Sequence, residues 1–217
     1  MMNTQLLRTS GFAAILAGII YVIGFVVLVT TMAPLLEASG DTEARLSFLI
    51  DHQVVFQSWI LLIYVLFGVV LVFVVQGVGS LATSWLSDTA AIFGYIWSGL
   101  VIASGMVALV GLESAASLFE QDVQKAADLW LVIDTIHNAL GGGVEVVGGV
   151  WMLIISVDFL KSHQLSKGIN WLGITIGLAG IVSTIPGLSA VGAIFGLLQI
   201  AWFIWLGFVM IARPKND

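Results

Sequence analysis

Asp134-Thr-Ile-His-Asn-Ala-Leu-Gly-Gly-Gly-Val-Glu-Val-Val-Gly-Gly149 sets two acids, a histidine and five glycines inside an otherwise apolar run. At roughly 100° per helical residue, Asn138, Gly141, Glu145, Gly148 and Met152 fall within about 40° of Asp134, and His137 lies about 60° to one side. Ile136, Leu140, Val147 and Val150 occupy the opposite side. The segment therefore reads as a helix whose apolar side meets lipid or neighbouring helices and whose polar stripe faces protein or water.

The rest of the chain agrees with a bilayer as solvent. Of 217 residues, 59% are hydrophobic and 9% charged, with a mean hydropathy of +1.10. A soluble domain is about 25% charged. Without cysteine the chain has no disulfide, thiolate metal site, thioether haem attachment or lipobox. A net charge of −6 disfavours nucleic acid as a partner.

Outward from that stretch, the apolar runs predict an all-α, polytopic membrane helix bundle, one domain of six transmembrane helices. The spans lie at about 12–33, 54–76, 89–112, 130–160, 170–185 and 191–211, each set against a hydrocarbon layer of roughly 30 Å. The first run is too long for a signal-peptide core and ends at Met32-Ala-Pro34, so it reads as a retained span. Residues 34–53 read as a polar, acidic connection, and 114–129 as a short amphipathic helix at the interface, with Trp130 as its anchor. The fourth run exceeds the bilayer, which requires tilt, a protruding first turn or a kink at Gly141-Gly-Gly143. Most of the tryptophans read as interfacial anchors, and Trp151 as pocket wall or packing. Gly173 with Gly177, and Gly192 with Gly196, supply small-residue faces for helix contact.

Basic residues set the orientation. An inside N-terminus places Arg8, Lys161, Lys167, Arg213 and Lys215 in the cytoplasm and leaves only Arg45 and Lys125 outside. Both termini are then cytoplasmic, the external face is acidic, and the expected location is a bacterial inner membrane.

The chain resembles domain-of-unknown-function family 4386 of bacterial multi-helix membrane proteins. The resemblance rests on Arg8-Thr-Ser-Gly-Phe-Ala-Ala-Ile-Leu-Ala-Gly18, on His137-Asn138 followed by Gly149-Val-Trp-Met-Leu153, and on Phe159-Leu-Lys-Ser162 leading to Asn170-Trp-Leu-Gly173. It departs at Gly141-Gly-Gly-Val-Glu145, where that family is usually more apolar. The resemblance implies the six-helix membrane class and brings no activity with it.

Three functions remain open. The first is binding or transport of a small ligand or proton in an outward-opening cavity lined by Asp134, His137, Asn138 and Glu145. Counting about twenty spanning residues back from Asp158 places Glu145 roughly 10 Å inside the hydrocarbon. A charge there costs roughly 2.5–3.5 kcal/mol, so the carboxyl must be protonated, paired or facing a wet cavity. Gln199, at similar depth in the sixth span, is the candidate partner. The second is a non-enzymatic accessory subunit whose stripe binds a partner membrane helix. The third is a metal-assisted hydrolase, with His52, Glu113 and His137 as a candidate zinc set. No HExxH spacing supports it, and no other cofactor is implied. A glycine-rich phosphate loop is excluded because no Gly-Lys-Ser/Thr follows the glycines.

Overall fold

The structure, a computed structural model, describes residues 4–37, 40–81, 84–142, 145–188 and 190–213. It is all helical among them. Five helices are long and apolar enough to cross a membrane: Thr4–Val29, Gln53–Gly79, Trp85–Phe119, Val123–Ser162 and Val191–Ala212. A sixth apolar helix, Lys167–Val182, is shorter. The chain is thus a multi-pass helical membrane bundle.

We label the elements α1 (Thr4–Val29), α2 (Ala33–Glu37), α3 (Thr42–Asp51), α4 (Gln53–Gly79), α5 (Trp85–Phe119), α6 (Val123–His137), α7 (Val146–Ser162), α8 (Lys167–Val182) and α9 (Val191–Ala212). Short polar side chains start several of them. Asp41 accepts the Ala44 N–H at 3.0 Å, Ser84 that of Ser87 at 3.0 Å, and Asp122 that of Lys125 at 3.1 Å. Each satisfies an N–H that the first helical turn leaves unpaired.

Contacts run in a ring from α4 through α1, α9, α8, α7 and α5 back to α4, with α6 against α5. Close approach depends on absent side chains: a Cβ on Gly11 would stand 2.9 Å from the Gly207 carbonyl oxygen, and one on Gly177 2.8 Å from that of Gly149. Rings fill the centre of the bundle. Trp97 lies 5.7 Å from Trp151 and 5.8 Å from Phe67, and Trp151 lies 5.7 Å from Trp202. A second apolar cluster, with Met32, Leu46, Leu49, Phe56, Leu112 and Trp130, sits under α2 and α3 at one end.

Several expectations change here. The connection over 34–53 is mostly helical: α2 and α3 form a cap that buries Leu46 and Leu49. The separate interfacial helix at 114–129 does not exist. Helix α5 runs unbroken to Phe119, Glu120–Asp122 make a tight turn, and α6 starts at Val123. Trp130 is no anchor, being 2% exposed, because the cap and Phe56 cover it. Trp97, Trp151 and Trp202 are buried as well, whereas Trp85, Trp171 and Trp205 are exposed as anchors would be. A tryptophan near the end of an apolar run faces lipid only if no neighbouring element covers that end.

Of tilt, a protruding first turn and a kink, the alternatives for the overlong fourth run, a kink is present. The chain winds wide over Asn138–Gly142, with Gly141 at φ 144°, and helix resumes at Val146. That φ is open to glycine and strained for a side chain. Of the expected kink site, Gly143 lies outside the described residues. A second wide turn, Leu61–Leu66, interrupts α4.

Candidate functional site

The two wide turns flank one cavity of about 400 Å³, which reaches from the α2–α3 cap down to Glu145 and Phe195. Its wall is mostly apolar and aromatic, with few polar groups. Four of those polar groups, Asp134, His137, Asn138 and Glu145, come from the single stretch Asp134–Gly149. Backbone irregularity inside a membrane is tolerated where protein buries it or where it lines a cavity, and wide turns recur at functional sites.

At the capped end, Arg45 Nη2 lies 3.3 Å from Asp134 Oδ2, and both side chains are largely covered. Arg45 comes from α3, so the ion pair fastens the cap to α6. A loop arginine counted only toward topology thus becomes part of the site.

One turn further in, His137 is 8% exposed. Its Nδ1 lies 3.0 Å from the Ser104 carbonyl oxygen and 2.8 Å from Ser104 Oγ, and that hydroxyl donates to the His137 carbonyl at 2.8 Å. A carbonyl only accepts, so Nδ1 carries a proton, and in the neutral ring Nε2 then holds the lone pair. Tyr64 packs edge-on at 4.9 Å, fixing the ring plane. Asn138 donates its amide to the Asp134 carbonyl at 2.7 Å, which satisfies an oxygen at the widening turn.

Glu145 lies at the floor, immediately before α7 begins. Its N–H reaches Ser183 Oγ at 3.4 Å, and that hydroxyl donates to the Gly180 carbonyl at 2.7 Å, so the end of α8 stands level with the start of α7. The Glu145 carboxyl is buried with the indole N–H of Trp97 as its neighbouring donor.

Other expected partners are placed elsewhere. Gln199 is fully buried, does not line the cavity, and has neither amide atom hydrogen-bonded, so it does not pair with Glu145. Depth alone suggested the pair. His52, Glu113 and His137 are not brought together. The exposed His52 stacks on Phe48 at 4.2 Å with Nδ1 facing the Phe48 carbonyl, and the exposed Glu113 accepts from Gln57 at 3.4 Å. Among the described residues, no three His, Asp or Glu side chains form a group that could hold a metal ion.

Sequence reasoning missed Arg45, Ser104, Tyr21, Tyr64 and Trp97 as parts of the site. Ser104 carried a signal, being a polar residue inside an apolar span. The aromatics carried none, since lipid-facing and cavity-facing rings look alike in a sequence. Comparison of the chain with family models, curated proteins and solved structures finds no match.

Proposed function

We propose that this chain is a membrane-embedded binding protein that takes a small ligand into the capped cavity from the external side. In this reading the membrane is crossed six times, both termini are cytoplasmic, and the membrane is a bacterial inner membrane. The basic-residue distribution supports the orientation. Helix α8, with 16 residues, is about 24 Å long, short of the roughly 30 Å layer. As the fifth span in chain order it leaves its turn toward α9 below the external boundary, level with Glu145. Kinship with the family of unknown function named above belongs to the same proposal, on the motifs quoted there.

The single observation that carries the reading is the cavity itself: about 400 Å³, lined mainly by rings and aliphatic side chains, with a few converging polar groups. This is the composition of small-molecule sites. A transport or proton-transfer step is the second reading. It is favoured by the interruption of the fourth helix at Gly141, because broken helices line the sites of many transporters.

The chain has no cysteine, so single cysteines report cleanly. Asn138→Cys, which lines the cavity, should react from outside intact cells with a small impermeant thiol reagent, as should Ser117→Cys, while Ser162→Cys should react only after lysis. Failure of Asn138→Cys to react from either side, with the two controls behaving as stated, refutes an accessible external cavity.

A further inference from the structure

Charge balance in the cavity, resting on the binding reading above, says more about the occupant. Among the described residues Arg45 is the one Lys or Arg side chain lining it, and Asp134 neutralises that charge at 3.3 Å. Glu145 is the remaining ionisable acid in the lining, and among the described residues no cation pairs with it. His137 adds an acceptor to the lining, since its Nδ1 proton is spent on Ser104 and the Nε2 lone pair remains.

Around the floor stand Tyr21, Phe67, Trp97 and Phe195, with Tyr21 to Phe67 at 5.1 Å and Trp97 to Phe195 at 5.9 Å. Aromatic faces attract cations and accept apolar surface equally well. An inorganic divalent ion needs several oxygen ligands at short range. A single carboxyl among rings does not supply them, and the cavity is far larger than such an ion. The α7 N-terminus favours negative charge, and the Glu145 carboxyl at its mouth already meets that preference.

We infer that the cavity takes an organic monocation: an ammonium group with an apolar body, its N–H groups toward Glu145 and His137 Nε2 and its body against the rings. The bound ammonium supplies the counter-charge that the protein lacks at that depth.

The test uses the full chain in nanodiscs of zwitterionic lipid, with protein-free discs as baseline. Three probes share one apolar body: phenylbutylammonium, phenylbutanol and phenylbutyrate. Tryptophan fluorescence follows binding, since Trp59, Trp97 and Trp130 line the cavity. The ammonium should bind at least about tenfold tighter than the alcohol, the factor that about 1.4 kcal/mol supplies, and the carboxylate should bind weakest. Glu145→Gln should bring the ammonium to the level of the alcohol, and Glu145→Asp should keep the preference. Should the Gln variant fail to fold, the ratio in the unaltered protein and in the Asp variant decides. Equal binding of ammonium and alcohol, or a preference for phenylbutyrate, overturns the cation assignment and leaves the binding cavity standing. Absence of saturable binding by all three probes overturns both.

Discussion

Gly149 lies one turn inside α7, directly below Glu145, where α7 and α8 press backbone to backbone. A Cβ there would stand 2.8 Å from the Gly177 carbonyl oxygen, 2.9 Å from the Ile181 nitrogen and 3.1 Å from the Gly180 carbonyl carbon. All three atoms are main chain, so no rotamer change relieves the clash. Reaching an ordinary separation of about 3.5 Å requires the helices to part by roughly 0.7 Å. Overpacking of this kind costs typically ~1–3 kcal/mol. Replacing a helical glycine by alanine returns up to ~1 kcal/mol, so Gly149→Ala should destabilise by up to about 2 kcal/mol net when that gain is realised in full. Gly99 is the matched control, since it is exposed on α5 and a Cβ there meets nothing within 4 Å. Gly99→Ala should be neutral or stabilising by up to ~1 kcal/mol. Both variants would be unfolded in one detergent system by heat and by titration with sodium dodecyl sulfate, with helicity as the readout. Because the clash also shifts Ser183 against Glu145, Gly149→Ala should alter reagent access to a cysteine at Asn138. A Gly149→Ala protein as stable as Gly99→Ala would refute the backbone-to-backbone packing of α7 on α8.

The fully buried, unpartnered Gln199 predicts that Gln199→Leu raises stability by ~1–3 kcal/mol, the desolvation cost removed with the amide; a lower melting temperature would show that the amide has a partner. Arg45→Ala and Asp134→Asn, alone and combined, should show a coupling of about 0.5–2 kcal/mol in a double-mutant cycle on thermal unfolding, and strict additivity would deny the ion pair that fastens the cap. Lys125, chiefly through its side-chain hydrogen bond, holds the Asp122 carboxyl below its ordinary value of 3.8. The stabilisation from this cap is fully present above that value and lost as pH falls through the lower folded one. The acid-side loss of stability should therefore shrink in Asp122→Asn, and an unchanged acid limb would remove Asp122 from the account.

Class and centre were legible in the chain. A hydropathy incompatible with water, apolar runs of bilayer length and a periodic polar stripe from Asp134 to Glu145 depend only on composition and helical period, both local properties. The same locality explains why Asp134, His137 and Asn138 share one cavity wall, whereas Glu145 joins them across the non-helical Gly141, a placement that tertiary structure decides. The excess length of the fourth run was legible too, with a kink at its glycines as one of three ways to fit beside tilt and a protruding first turn, and tertiary structure decided among them. Tertiary structure alone decided which residues complete the cavity. Arg45 sits in a segment whose polar composition reads as loop, and only burial of Leu46 and Leu49 against α6 turns it into a cap that presents the guanidinium to Asp134. Trp130 and Trp97 were unreadable for a related reason: hydrophobicity sends a ring out of water, but lipid and protein interior satisfy it alike, and only neighbouring helices distinguish them. Gln199 marks the limit of arguing from depth. Position along a helix sets how far a side chain lies from the surface, whereas which partner it meets depends on the rotation of that helix about its axis, and packing against α1 and α8 sets that rotation.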